Sequence, residues 1–260
     1  YYSEKLKQSR YAISDETLRP YFPKDRVISG LFKVVNNLFG LTITERKDVD
    51  TWHEDVSFYD VFDRDGQQRG SFYFDLYARP HKRGGAWMDD CIGRRALNDQ
   101  GEVQLPVAYL TCNFNGPIGD KPALFTHNEV VTLFHEFGHG IHHMLTQINA
   151  SSVAGINGVP WDAVELPSQF LENWCWQPEA LAFISGHYQT NEPLPQAMLD
   201  KMLAAKNFQS AMQMLRQLEF SLFDFIMHAN YPADKSAAEK ASHIQQVLDQ
   251  VRAQYAVVKT

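Results

Sequence analysis

The sequence predicts a mainly α fold with a small antiparallel β-sheet set beside one buried helix. Three observations lead there. Apolar residues recur at helical spacing before residue 40 and again after residue 126. Between them, short stretches alternate apolar and polar residues, as half-buried strands do. One of the later helices carries an unusual polar insert, His135-Glu-Phe-Gly-His139, inside an otherwise apolar stripe.

In chain order, Ser14-Asp-Glu16 caps a short helical turn that Pro20 and Pro23 interrupt. Val27, Ile28, Leu31, Val34, Val35, Leu38 and Phe39 then follow helical spacing and stop at Gly40, a residue suited to a helix C-terminus. Leu41–Thr44, Val56–Phe62 and Ser71–Tyr77 read as strands. The last two flank Asp63-Arg-Asp-Gly66, a hairpin turn signal. Val107–Asn113 reads as a further strand. The 108–114 region is expected to be an edge strand able to take an extended peptide backbone.

Thr126 with Glu129 three residues on forms a capping box, and Val130, Phe134, Phe137, Ile141 and Met144 continue the stripe. Gly138 and Gly140 each cost a helix interior about 1 kcal/mol, which close approach of another backbone would explain. Helices are predicted over 161–187, 195–205, 207–229 and 234–255. In the third of these, Met212, Leu215, Leu218, Leu222, Phe223 and Ile226 form a packing stripe.

Two imidazoles at i and i+4 share one helix face, so His135 and His139 can grip a single Zn²⁺ while Glu136 faces the same site as a general base. A zinc site that does chemistry needs a third protein ligand and an open position. The downstream candidate is Glu165, 26 residues past His139, with room for a loop bearing Gly155 and Gly158. Pro160 and Pro167 both suit a first helical turn, which puts Glu165 at a kink or a helix start. Glu172, seven residues on, shares its face and can accept a hydrogen bond from a ligating imidazole, or can be an ordinary solvated glutamate. His142 lies about one turn, 5.4 Å, beyond the expected metal position, so the spacing argues against it and against His143. Cys112 is an alternative third ligand from upstream.

With Val164-Glu-Leu-Pro-Ser-Gln169 and Leu171-Glu-Asn-Trp174 added to the His135–His139 motif, the chain resembles the thimet-oligopeptidase family of zinc peptidases. Lys82-Arg-Gly-Gly-Ala-Trp-Met-Asp-Asp90, Pro106–Phe114 and Phe125-Thr-His127 are similar to its bacterial members, and the likeness runs through essentially the whole chain. The resemblance implies a zincin-type catalytic domain with one Zn²⁺ per chain held by His135, His139 and Glu165, and Glu136 as general base and acid. It implies short peptides as substrates, cut internally, and a cytoplasmic monomer. A peptidyl-dipeptidase of the same family is the alternative activity. Family members are longer, with a helical region before this one and a Gly/Tyr-rich substrate segment after it. Residues 1–260 are therefore expected to be a single catalytic region, an internal fragment that binds zinc but cleaves poorly by itself. A non-catalytic, zinc-stabilised helical module and a metal-free peptide-binding domain are the rival readings.

Composition is compatible with all of this. The 260 residues are 44% apolar and 13% aromatic, enough for a substantial core. A net charge of −7 gives no electrostatic reason to expect nucleic acid or an anionic membrane as partner. Cys91, Cys112 and Cys175 are odd in number and widely spaced, which suits reduced thiols. No apolar run reaches the length of a membrane span.

Overall fold

The computed structural model describes residues 1–258. By its internal contacts the chain divides into two units, Tyr1–Leu203 and Ala204–Thr260.

The first unit opens with α1 (Tyr2–Tyr11), the short α2 (Asp15–Leu18), a 3₁₀ turn (Arg19–Tyr21) and α3 (Lys24–Phe39). Ser14 caps α2, its hydroxyl accepting from the Thr17 amide at 3.3 Å. Gly40 ends α3 in the left-handed region at φ 72°, as its sequence position suggests. The strands follow: β1 (Thr42–Glu45), β2 (Ser57–Phe62), β3 (Gln68–Tyr77), β4 (Trp87–Ile92), β5 (Arg95–Ala96), β6 (Val103–Gln104) and β7 (Val107–Phe114). β5 and β6 pair only with each other, and the rest form one sheet in the order β1-β2-β3-β7-β4.

This sheet corrects two expectations. It is mixed rather than antiparallel, because β3 and β7 run parallel, with Ser71 opposite Val107 and Asp75 opposite Thr111. Parallel neighbours need a long crossover, and residues 78–106 supply it. Within that crossover lies β4, which returns antiparallel on the far side of β7. The 107–114 strand is therefore interior, paired on both sides, and the edge beside it is β4.

The two faces of the sheet differ. Phe72, Phe74 and Leu110 are fully buried on one face, where Phe72 and Phe74 meet Phe32 of α3. The other face gathers Trp52, Tyr73 and Tyr109 around the buried Asp75. Asp75 accepts a bidentate pair from Arg79 at 2.6 and 2.7 Å, Lys82 at 2.8 Å and the Trp52 indole at 3.0 Å.

α4 (His127–Met144) lies against the buried face, with Phe137 edge-on to Phe72. The predicted single helix over 161–187 is divided. A series of turns reaches Glu165, then come α5 (Leu166–Glu172), a 3₁₀ turn (Asn173–Trp176) and α6 (Pro178–Ile184). Pro167 and Pro178 sit in the first turns of α5 and α6, where a missing amide costs nothing but an incoming helix cannot continue through it. α7 (Gln196–Ala204) follows.

The second unit pairs α8 (Ser210–Ala229) with α9 (Ala237–Tyr255). Ser236 and Glu239 cap α9 reciprocally. The apolar stripe predicted on α8 is only partly buried. Met212 and Leu218 are exposed, and the buried residue of that helix is Glu219, held by Arg216 at 3.2 Å and Arg252 at 3.0 Å. Among the described residues no helix is long and apolar enough to cross a membrane.

Candidate metal centre

α4 starts as its sequence requires. The Thr126 hydroxyl accepts from the Glu129 amide at 3.1 Å, and the Glu129 carboxylate accepts from the Thr126 amide at 2.7 Å. Val130, Phe134, Phe137, Ile141 and Met144 are buried, which fixes the rotation of the helix and turns His135, Glu136 and His139 toward α5 and β4. The rings of His135 and His139 meet edge-on with centroids 5.0 Å apart.

The two glycines explain how α5 comes close enough to contribute. A Cβ on Gly138 would stand 2.5 Å from the Pro167 carbonyl oxygen and 2.6 Å from the Ser168 Cα. A Cβ on Gly140 would meet the Leu110 side chain at 3.1 Å, so the second glycine accommodates the sheet rather than a backbone. With α5 seated this way, Glu165 occupies its N-cap position, and its Oε2 lies 3.1 Å from His135 Nε2 and 3.1 Å from His139 Nε2. All three donor atoms lie within 4.8 Å of one another. Donors bonded to one tetrahedral zinc at 2.0–2.1 Å would be about 3.3 Å apart, so the set suits that ion.

The neighbouring groups orient these donors. His135 donates from Nδ1 to Glu172 Oε1 at 2.6 Å, which leaves Nε2 directed at the site. Ser168 Oγ lies 2.8 Å from Glu165 Oε2. Burial lowers the pKa of His139, opposed by the Glu165 carboxylate, and the neutral imidazole so favoured is the form that binds metals. Burial raises the pKa of Glu136, the adjacent His135 lowers it, Glu165 raises it, and a hydrogen bond from the Met88 backbone lowers it. A carboxylate placed this way is held above the range of a solvated one.

His142 and His143 stay outside the group. His143 is fully buried, and its Nε2 is 2.9 Å from the Ile92 carbonyl at the end of β4. Cys112 is buried in β7 and likewise lies outside the group, with burial pushing its thiol pKa up, against metal-binding thiolate. The residue that sequence reasoning missed is Met88. Trp87–Ile92 reads poorly as a strand because Asp89 and Asp90 break its alternation, and an edge strand needs only one buried neighbour to persist.

The sequence model of Peptidase family M3 matches residues 1–260. Oligopeptidase A of Haemophilus influenzae is 67% identical over 259 residues, covering 100% of this chain and 37% of that protein. Oligopeptidase A of Escherichia coli is 67% identical over 237 residues, covering 91% of this chain and 35% of that protein. A dipeptidyl carboxypeptidase of Salmonella typhimurium is 35% identical over 242 residues, covering 93% and 34% respectively. The chain thus spans little more than a third of the length of these relatives.

Proposed function

This chain belongs to Peptidase family M3, and on that footing we propose that it carries the zinc centre of a metallo-endopeptidase acting on short peptides. The observation that carries the reading is the convergence of Glu165 Oε2 on both histidine Nε2 atoms at 3.1 Å. His135, His139 and Glu165 would hold the ion, within a zincin-type catalytic region that takes in residues 1–260. When bound, zinc supplies Lewis-acid chemistry that brings the pKa of water from 15.7 to about 7.

The chain's own groups do the rest. Glu136, at the floor of the site, takes the proton of the attacking water and returns it to the leaving amine as the peptide bond breaks. Glu172 keeps His135 in the tautomer with Nε2 free. Because the Met88 backbone reaches Glu136, a peptide laid along the open edge of β4 would bring its carbonyl carbon beside that carboxylate. The extended-substrate role read from sequence for 108–114 passes to β4, since β7 has no free edge.

An endopeptidase is favoured over a peptidyl-dipeptidase because identity is 67% to oligopeptidases A and 35% to the dipeptidyl carboxypeptidase. A cytoplasmic monomer with no nucleic-acid or membrane partner completes the proposal. The test is bound zinc and quenched-peptide turnover for the chain and for Glu136→Gln. Zinc in both, with any turnover confined to the first, supports the reading. Absence of stoichiometric zinc, or turnover that survives the substitution, overturns it.

A further inference from the structure

We propose that Ser168 is a positioning residue for the third metal ligand, an inference that rests on the zinc reading above. Glu165 is the exposed member of the group, with 49% of its side chain accessible, whereas those of His135 and His139 are 26% and 13% accessible. A glutamate so placed has several rotamers open to it, so a neighbouring group is needed to hold Oε2 at the two imidazoles. Ser168 is 0% exposed, and its Oγ lies 2.8 Å from Glu165 Oε2 and 2.9 Å from the Glu165 carbonyl oxygen. Its single proton therefore chooses between the two acceptors, and a charged carboxylate oxygen is the stronger. That oxygen keeps a second lone pair for a metal.

The hydroxyl is itself fixed. Ser168 Cα packs against Gly138, one residue before His139, so the position of the Ser168 backbone beside the ligand helix is set by backbone contact. Gly138 thus ties α5 to the ligand pair on α4, and this hydroxyl ties the Glu165 carboxylate to α5.

The experiment compares the chain with Ser168→Ala in three measurements: zinc affinity by chelator competition, the visible spectrum of the Co²⁺-substituted protein, and the melting temperature of the metal-free form. The expected result is a 10- to 100-fold weaker zinc affinity and a shifted Co²⁺ spectrum, with metal-free melting close to that of the parent. Affinity within about threefold of the parent overturns the proposal. So does a loss of affinity that merely accompanies collapse of the metal-free melting transition, because that marks Ser168 as ordinary helix-start packing. A parent chain that binds no zinc sinks the underlying reading instead.

Discussion

Gly138 of α4 and Pro167 of α5 touch backbone to backbone. A Cβ on the glycine would stand 2.5 Å from the proline's carbonyl oxygen, a distance no side chain tolerates. This contact sets how deeply α5 seats, and with it the reach of Glu165.

Gly138→Ala is accordingly expected to be severe. Alanine elsewhere in a helix gains about 1 kcal/mol over glycine, but here α5 must lift off, at an overpacking cost of about 1–3 kcal/mol or more. Zinc affinity should fall with stability, because the displaced backbone carries the third donor. Gly140→Ala is the control. Its new methyl would meet the Leu110 side chain at 3.1 Å, which can shift by a few tenths of an ångström. Thermal melts and chelator competition on both variants check the contrast. Equal effects would show that backbone approach at 138 is not what matters.

Glu172 holds the Nδ1 of His135 at 2.6 Å. Removing such a partner typically weakens metal binding 10- to 100-fold, so Glu172→Ala should lose roughly that much zinc affinity. Glu172→Gln should lose less, because its amide oxygen still accepts from Nδ1. Chelator competition on the two variants orders them, and a glutamine variant as weak as the alanine one would mean that charge, not the tautomer, is the contribution.

Much of this centre is legible in the sequence because it is local. Spacing of four residues places His135 and His139 together on any helix, and Thr126 with Glu129 announces where that helix begins. Glu165 and Glu172 are legible as candidates, but their approach to α4 depends on Gly138 and Pro167, which are 29 residues apart and meet only in the fold. The sheet is the least legible part. Parallel pairing of β3 with β7 is a long-range choice that no local alternation encodes, and β4 hides behind its two aspartates. An edge expected at 108–114 therefore turns out to be at 87–92. On α8 the buried residue is Glu219, which a reading of apolar periodicity passes over because two arginines make its burial tolerable.

Asp75 gives the first unit an acid-sensitive clasp. Its bonds to Arg79 and Lys82 fasten the loop that leads from β3 to β4, and its bond to Trp52 fastens the segment between β1 and β2. Burial opposes its charge, but the hydrogen bonds from Arg79, Lys82 and Trp52 outweigh that and hold its pKa at about 2. The unfolded value is about 3.9. A depressed folded pKa adds stability that is fully present above the unfolded value and is lost as pH falls through about 4 toward 2. Asp75→Asn should abolish that part of the slope and destabilise at neutral pH by about 3–5 kcal/mol, because the nearly buried Lys82 then lacks its counter-charge. Melting temperatures at intervals between pH 2 and pH 6 test both statements. An unchanged slope in the asparagine variant would place the acid sensitivity elsewhere.

The three cysteines should separate cleanly under alkylation. Cys112 and Cys175 are 0% exposed, and burial raises both thiol pKa values, with Glu136 adding to the effect at Cys112 and Glu172 at Cys175. Because the thiolate is the nucleophile, both should resist an alkylating reagent while the fold is intact. Cys91 lies half-buried on the edge strand, hydrogen-bonded to Tyr109 on the sheet face turned away from α4. Native labelling followed by peptide mass analysis should therefore find the adduct on Cys91, with all three labelled after denaturation. The label would sit across the sheet from His135 and His139, so zinc affinity should hold through the modification. Rapid native labelling of Cys112 would mean that β7 opens, and the interior placement of that strand would have to be given up.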